Sequence, residues 1–319
     1  MIRINTFLKN NYKKILLYLL IYLLFMTPMP YYVDTPGGAE LIDDIKMNEE
    51  KINNEVFHKS YVSVHRGRIP ILLLALLLDN WDIYPVSILP EEDYELSSKV
   101  NRLYLKHANQ IATIVAYEQA NMPIEIVKEE IIVTNVIEES KNEMKIGDIL
   151  IALSFDQLTK KLDVKKPGDH ISIDVKRNGQ VVTTNNEIIN IDGKPRLGIM
   201  GLEHYTIESD PTITITPRPR SEGPSGAFML ALTIYDQLVD EKIKSLKITG
   251  SGTLTEDGQI GSVSGLKYKL LGAEKENFDY FFIGQDNIEE VLTIKKQMEL
   301  DINIKGFSNF EEAITFLYD

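Results

Sequence analysis

The chain of 319 residues contains no cysteine, which excludes disulfide bonds, thiolate zinc sites and a cysteine nucleophile. It also has no excess of positive charge, because its formal net charge is -13 at pH 7. Nucleic-acid binding depends on clustered Lys and Arg, so this charge argues against a nucleic-acid partner. The five histidines are scattered, and none belongs to an H-E-x-x-H motif. We therefore predict neither a metal site nor a cofactor.

The composition is that of a folded chain. Hydrophobic residues make up 44% and charged residues 25% of the sequence, which is typical of globular proteins. The length suffices for about two domains, at roughly 150 residues each. Patterns of both strand and helix follow one another along the chain. The sequence predicts an α+β protein of several domains.

A long apolar run lies near the N-terminus. Residues 15–33 read ILLYLLIYLLFMTPMPYYV without a charge, and as a helix this run would cover about 28 Å. Lys13 and Lys14 precede the run, and the first acidic residue, Asp34, follows it. The positive-inside rule then predicts a single-pass membrane protein with a cytoplasmic N-terminus and an extracytoplasmic remainder. The predicted cytoplasmic tail and transmembrane anchor together occupy residues 1–33.

A cleaved signal peptide is the alternative for this run. However, TPMPYY offers no small-x-small cleavage site, and Tyr31 and Tyr32 suit an aromatic anchor at a membrane interface. The sequence favours the anchor. After it, residues 34–124 form a predicted α/β region, in which 91–120 have helical spacing, and we assign this region no chemistry.

Short β-branched runs follow from Ile131. They include IIVTNV, the segment KIGDILIAL and the hairpin pattern KKPGDHISIDVKRNGQ. This order resembles a PDZ domain of the bacterial protease-associated type, over residues 125–205. The resemblance implies that a peptide adds as a strand beside Ile131, Ile132 and Val133. The alternative is a small β-domain that only spaces the next domain from the membrane.

A serine with unusual surroundings lies further along the chain. Ser225 follows Gly223 and Pro224, and the segment after Gly226 has apolar residues at helical spacing. Ser225 is therefore expected at a helix N-terminus, where unpaired N–H groups can stabilise a negative oxygen. A serine at such a place is also a common N-cap, so catalysis requires a partner base.

Lysine is the candidate base, because no histidine lies in a suitable context. In the segment GLKYKLLGAEKE, Lys267 falls between Leu270 and Leu271 on the apolar face of a predicted helix. Burial there would lower its pKa towards neutrality. Lys269, at the edge of that face, is the lysine that we expect to be solvated.

These two segments together resemble the Lon-type peptidase domain, over residues 206–319. Gly223-Pro224-Ser225-Gly226-Ala227 stands where that family has Gly-Pro-Ser-Ala-Gly, and Thr249-Gly250 through Gly265-Leu266-Lys267 corresponds to its second motif. The resemblance implies that Ser225 is the nucleophile, Lys267 the general base and Thr249 a supporting hydrogen-bond partner. Gly223, Pro224 and Gly226 would form the loop that binds substrate and the oxyanion.

The sequence lacks a G-x-x-x-x-G-K-[ST] motif, so cleavage is expected to be independent of ATP. An anchor, a PDZ-like domain and a Lon-type domain together resemble the bacterial PDZ-containing Lon-like serine proteases, which include pheromone-processing members. That resemblance implies limited cleavage of secreted peptides or membrane-anchored proteins. Lon-type domains often assemble in rings, which leaves a homo-oligomer open.

Two other functions remain open at this point. One is a membrane-tethered PDZ adaptor whose peptidase-like domain is inactive. The other is a structural organiser acting through residues 34–120. Intact Ser225 and Lys267 favour the peptidase.

Overall fold

A computed structural model describes residues 2–42, 44–86, 91–138, 140–219, 221–243 and 245–318, which form a mixed α/β fold. The helices are α1 (Ile2–Met26), α2 (Ile69–Ala75), α3 (Glu91–Gln119), α4 (Phe155–Asp163), α5 (Ala227–Leu238), α6 (Leu266–Lys275), α7 (Ile288–Gln297) and α8 (Phe310–Tyr318), with a 3-10 turn at Gln285–Asn287. The strands of the N-terminal half are β1 (Tyr31–Leu41), β2 (Asp44–Met47), β3 (Glu50–Lys51), β4 (Phe57–Arg66), β5 (Asp82–Pro85), β6 (Ile124–Val136) and β7 (Ile149–Leu150). Those that follow are β8 (His170–Arg177), β9 (Gln180–Glu187), β10 (Ile189–Ile191), β11 (Lys194–Arg196), β12 (Ile199–Ser209), β13 (Ile213–Thr216), β14 (Ile248–Ser251), β15 (Thr253–Leu254), β16 (Ile260–Gly261), β17 (Tyr280–Gly284) and β18 (Asn303–Phe307).

The N-terminal apolar run does not form the predicted membrane span. Across the described residues, we find no helix that combines the length and the apolar character needed to cross a membrane. Helix α1 ends at Met26 and Tyr31 already starts strand β1, so only residues 15–26 of the run are helical, about 18 Å in length. The predicted transmembrane helix is therefore wrong, and with it the single-pass location with a cytoplasmic N-terminus.

A six-stranded sheet is the centre of the molecule. Its order is β18-β17-β14-β4-β1-β5, in which β4, β14, β17 and β18 run parallel and β1 pairs antiparallel with β4 and β5. Side chains alternate between its two faces, as the pleat of a strand requires. Ile248 and Phe282 pack into one core cluster with α3 and α5, whereas Phe281 and Ile283 pack into another with α6 and α7. Helices therefore cover both faces of the sheet.

This sheet combines two segments that the sequence assigns to separate regions. Strands β1, β4 and β5 come from residues 34–124 and the segment just before them, while β14, β17 and β18 come from residues 206–319. The direct pairing of β4 with β14 joins them in one sheet. The boundary predicted near residue 124 therefore does not separate two independent cores, because strand pairing is a long-range contact that local patterns do not reveal.

A second sheet, β12-β6-β7-β8-β9, carries helix α4 and has its own apolar core. The hairpin expected at RNGQ joins β8 to β9, and its turn residues Asn178 and Gly179 both have positive φ. In chain order, residues 124–209 form this unit. It overlaps residues 125–205, for which a PDZ-like domain stays a prediction.

The proposed peptide position beside β6 is occupied by the chain itself. Strand β12 pairs with β6 along one edge, and Ile131 and Ile132 pair with Leu150 and Ile149 of β7 along the other. Ile131 and Val133 are fully buried. No free edge remains at residues 131–133, so the prediction that Ile131, Ile132 and Val133 bind an added peptide strand is wrong.

Candidate active site

Ser225 lies in a turn immediately before α5, half-buried, at the N-terminal end expected from the sequence. Its carbonyl accepts hydrogen bonds from the N–H of Gly252 at 2.8 Å and from Ser251 Oγ at 3.0 Å. Among the described residues, the N–H groups of Ser225 and Gly226 have no acceptor. Unpaired N–H groups at a helix N-terminus are suited to stabilise a negative oxygen.

The loop before Ser225 depends on conformations that its sequence permits. Gly223 has φ 81°, in the left-handed region that glycine adopts at little cost. A Cβ added to Gly226 would lie 3.3 Å from Cδ of Lys59, so the small residue at this position gives room to that side chain. The positions predicted for the substrate loop, Gly223, Pro224 and Gly226, thus border Ser225 directly; their role in binding stays a prediction.

Residues outside the C-terminal segment hold this loop in place. The N–H of Gly223 donates to the carbonyl of Asn101 at 3.0 Å, and Ser98 and Arg102 both donate to the carboxylate of Glu222. Lys59 Nζ donates to Ser221 Oγ at 3.0 Å. Helix α3 and strand β4 therefore position the loop, which is a role that the sequence patterns of residues 34–124 did not reveal.

Lys269 of α6 is the buried lysine of the site. It is 5% exposed, and burial lowers its pKa to about 8. Its Nζ donates to Ser251 Oγ at 2.9 Å, and Ser251 in turn donates to the carbonyl of Ser225. A lysine that titrates near neutrality can carry a free amine and act as a base. Two hydrogen bonds thus link a low-pKa lysine to the backbone of Ser225.

The packing of α6 on β1 explains why Lys269 is buried. A Cβ added to Gly272 would lie 2.7 to 2.8 Å from backbone atoms of Gly37 and Gly38, so helix and strand are in direct backbone contact. This contact covers the side of α6 that the sequence pattern assigns to solvent. The expectation that Lys269 is solvated is therefore wrong, because a strand from the N-terminal region lies over it.

Lys267 lies elsewhere. Its side chain is 29% exposed, and its Nζ forms an ion pair at 2.7 Å with Asp82, whose side chain is 53% exposed. The hydrogen bonds from Lys267 and Tyr268 lower the pKa of Asp82. The burial on which the choice of Lys267 as general base rested is found at Lys269 instead, so the structure favours Lys269 over the predicted Lys267.

Thr249 does not hold a lysine in this structure. It is fully buried, and its hydroxyl has no hydrogen-bond partner among the described residues. Ser251, two residues further along β14 on the same face, occupies the supporting position instead. The hydrogen bond to a lysine that was expected of Thr249 is made by Ser251, which sequence reasoning passed over although it directly follows Thr249 and Gly250.

Ser225 and Lys269 approach β14 from opposite faces of the sheet. α5 packs with the cluster that includes Ile248, and α6 packs with the cluster that includes Phe281. Both meet at Ser251 and Gly252, where this parallel strand ends. Such strand ends are where open α/β sheets place their ligands. As for metals, the described part of the chain holds no group of three or more His, Asp or Glu able to bind an ion.

A serine at a helix N-terminus, joined through Ser251 to a low-pKa lysine, is the arrangement of serine hydrolases that use lysine as the base. Comparison with known families gives a narrower result. Residues 215–318 match the family described as the Lon protease (S16) C-terminal proteolytic domain. This match, which includes Ser225 and Lys269, supports a serine peptidase.

Individual relatives agree with that family match. A Lon protease of Aster yellows witches'-broom phytoplasma (strain AYWB) is 29% identical over 98 residues, which are 30% of this chain and 12% of that protein. Lon protease 2 of Borreliella burgdorferi is 27% identical over 96 residues, 30% of this chain and 12% of that protein. The chain thus aligns with only a small part of the length of these relatives.

Proposed function

We propose that this chain is a serine endopeptidase in which Ser225 is the nucleophile and Lys269 is the general base and later the general acid. The observation that carries the proposal is the buried Lys269, with a pKa of about 8, joined through Ser251 to the backbone of Ser225. The family match of residues 215–318 supports the same reading.

The proposed reaction proceeds through an acyl-enzyme. The Lys269 amine takes the proton of the Ser225 hydroxyl while the Ser225 oxygen attacks the carbonyl carbon of the peptide bond. The free N–H groups of Ser225 and Gly226 stabilise the oxyanion. The lysine then gives the proton to the leaving amine. In the second step it takes a proton from water, which attacks the acyl group, and it returns that proton to the Ser225 oxygen.

We further propose that cleavage by this chain needs no ATP and is directed at unstructured segments. The sequence contains no P-loop motif, so nothing within these residues would couple nucleotide hydrolysis to unfolding of a substrate. Peptides and flexible protein segments are therefore the substrate class. The PDZ-like unit of residues 124–209 is proposed to help present such segments, but not through β6, whose edges are both paired.

The test is mass-spectrometric detection of cleavage when the full chain is incubated with unstructured peptides, with and without ATP. The parent should cut in both conditions, and Ser225→Ala should cut in neither. Strict dependence on ATP would refute the ATP-independent mechanism. Binding of peptides by the parent without any cleavage would favour the adaptor function instead.

A further inference from the structure

A groove lies between helix α3 and strands β12 and β13, beside the loop that leads to Ser225. It encloses about 460 Å³, which is within the usual range of about 300–1,000 Å³ for ligand clefts. Ile207, Ile213 and Ile215 form an apolar wall, and Pro217 stands where the loop begins. The opposite wall is α3, with Lys106 and Asn109.

Strand β13, which contributes Ile213 and Ile215 to the groove, has one unpaired edge. It pairs with β2 on one side, and it is the outer strand of the order β13-β2-β3. Along the described chain, the outward-facing backbone groups of residues 213–216 have no hydrogen-bond partner. Such an edge can accept an extended peptide as an additional strand.

Asn109 adds a polar group to the wall of the groove. The residue is only 8% exposed, and its side-chain amide makes no hydrogen bond with any described residue. An amide that lines the groove can donate and accept hydrogen bonds with a bound ligand. Its place in the wall of the groove suits a hydrogen bond with the backbone of a bound peptide.

Helix α3 also sets the distance from the groove to the site of cleavage. The carbonyl of Asn101 holds the N–H of Gly223, two residues before Ser225. Lys106 lies about 8 Å and Asn109 about 12 Å further along the helix, at 1.5 Å per residue. An extended peptide covers these distances with about two to four residues. A segment bound at Ser225 can therefore reach the groove.

The lysines at the rim of the groove favour a ligand with an acidic side chain. Lys106 is exposed there and forms no ion pair with the described residues, and Lys176 adds further positive charge nearby. The two lysines lie close together in a chain whose net charge is -13. An acidic side chain of a ligand would complement their charge.

We propose that this groove binds the substrate segment flanking the cleaved bond as a strand added to β13. An acidic side chain two to four residues from that bond contacts Lys106. This assignment rests on the proposed peptidase function, and it makes Lys106 a specificity-determining residue outside the segment that matches the Lon proteolytic domain.

The experiment uses twelve-residue peptides, acetylated and amidated so that no terminal carboxylate competes. A single Glu is moved through the sequence one position at a time, and each peptide has a Gln counterpart. With the full-length parent, Glu two to four residues from the cut should raise kcat/KM about fivefold over Gln, mainly through KM. Equal kcat/KM for all Glu and Gln pairs would overturn the proposal.

Variants separate this contact from general effects of charge. Lys106→Met should abolish the preference for Glu, and Lys106→Glu should reverse it, so that each Gln peptide is cut faster than its Glu counterpart. Lys194→Met, which removes an exposed lysine of β11 that does not line the groove, should retain the preference. The assignment would also be overturned if Lys106→Met kept the preference for Glu over Gln, or if Lys194→Met lost it.

A binding arm distinguishes failure of this inference from failure of the peptidase function. If the parent cuts none of the peptides, fluorescein-labelled Glu and Gln peptides are titrated into Ser225→Ala by fluorescence anisotropy. Tighter binding of the Glu peptide, lost when Lys106→Met is added, would support the groove although the peptidase proposal fails. Equal or absent binding of both peptides would refute the groove as well.

Discussion

Lys267 and Lys269 are two residues apart on α6, yet the regions around them differ sharply. The region of Lys267 is open to solvent, and its ammonium pairs with the exposed carboxylate of Asp82. The region of Lys269 is closed by β1, and among the described groups its amine donates a hydrogen bond only to the neutral hydroxyl of Ser251. Burial around Lys269 favours the free amine. Burial on one side of a helix is thus enough to separate an ordinary surface cation from a candidate base.

The largest expected effect of this difference is on cleavage. Lys269→Met should lower kcat/KM on an unstructured peptide by about a thousandfold, which is within the range attributed to a general base. Lys267→Met should change it less than about threefold, because the Asp82 pair is exposed. Initial rates by chromatography measure both, with circular dichroism as a check on folding. A severe loss in the Lys267 variant with normal rates in the Lys269 variant would reverse the assignment.

The Lys269→Met and Lys267→Met variants should also differ in stability. At pH 7 Lys269 is mostly protonated, and burial of its charge lowers the stability of the folded state. Lys269→Met removes this charge and should raise the free energy of unfolding by about 3 kcal/mol. The pKa is lower in the folded state, so the unfolded state binds more protons between about pH 8 and 10.5, and parent stability should rise with pH across that window. The gain from Lys269→Met should therefore shrink above pH 8.

Urea unfolding at several pH values measures this gain, with Lys267→Met as the control. The control should lose no more than about 1 kcal/mol, since exposed ion pairs contribute little. If the difference in free energy of unfolding between the parent and Lys269→Met does not depend on pH, the pKa of Lys269 is not lowered in the folded state.

A smaller effect should distinguish the two hydroxyls of β14. Ser251→Ala removes the partner of Lys269 and should lower kcat about ten- to a hundredfold with little change in KM. Thr249→Val replaces a buried hydroxyl that has no partner with a methyl group, so activity should persist and stability should rise by about 1 kcal/mol. Steady-state kinetics and thermal unfolding measure the two outcomes. Loss of activity in Thr249→Val alone would restore Thr249 as the supporting residue.

The pH profile should report Lys269 rather than Lys267. Since the amine must be free, kcat/KM should fall about tenfold per pH unit below pH 8 and level off above it. Lys267→Met should leave the midpoint unchanged. A midpoint that moves in this variant, but not in Ser251→Ala, would indicate that the titrating group is on the exposed side of α6.

Local patterns predicted part of this fold and site. The helix after Ser225 and the hairpin at Asn178-Gly179 depend on neighbours in the chain, and both are present. The apolar run of residues 15–33 misled the prediction, because hydropathy does not show where a helix ends and a strand begins. The face of α6 misled it as well, since helical spacing does not show that a distant strand covers the other side.

By itself, the sequence determined that a serine flanked by glycines stands at a helix N-terminus and that a lysine follows on a later helix. These are features of short segments, in which spacing and residue type are sufficient. Only the tertiary structure decided which lysine is buried, which hydroxyl contacts it and which elements hold the serine loop. Those choices depend on β1, β4 and α3, more than a hundred residues earlier in the chain, and long-range packing of this kind has no signature in local sequence.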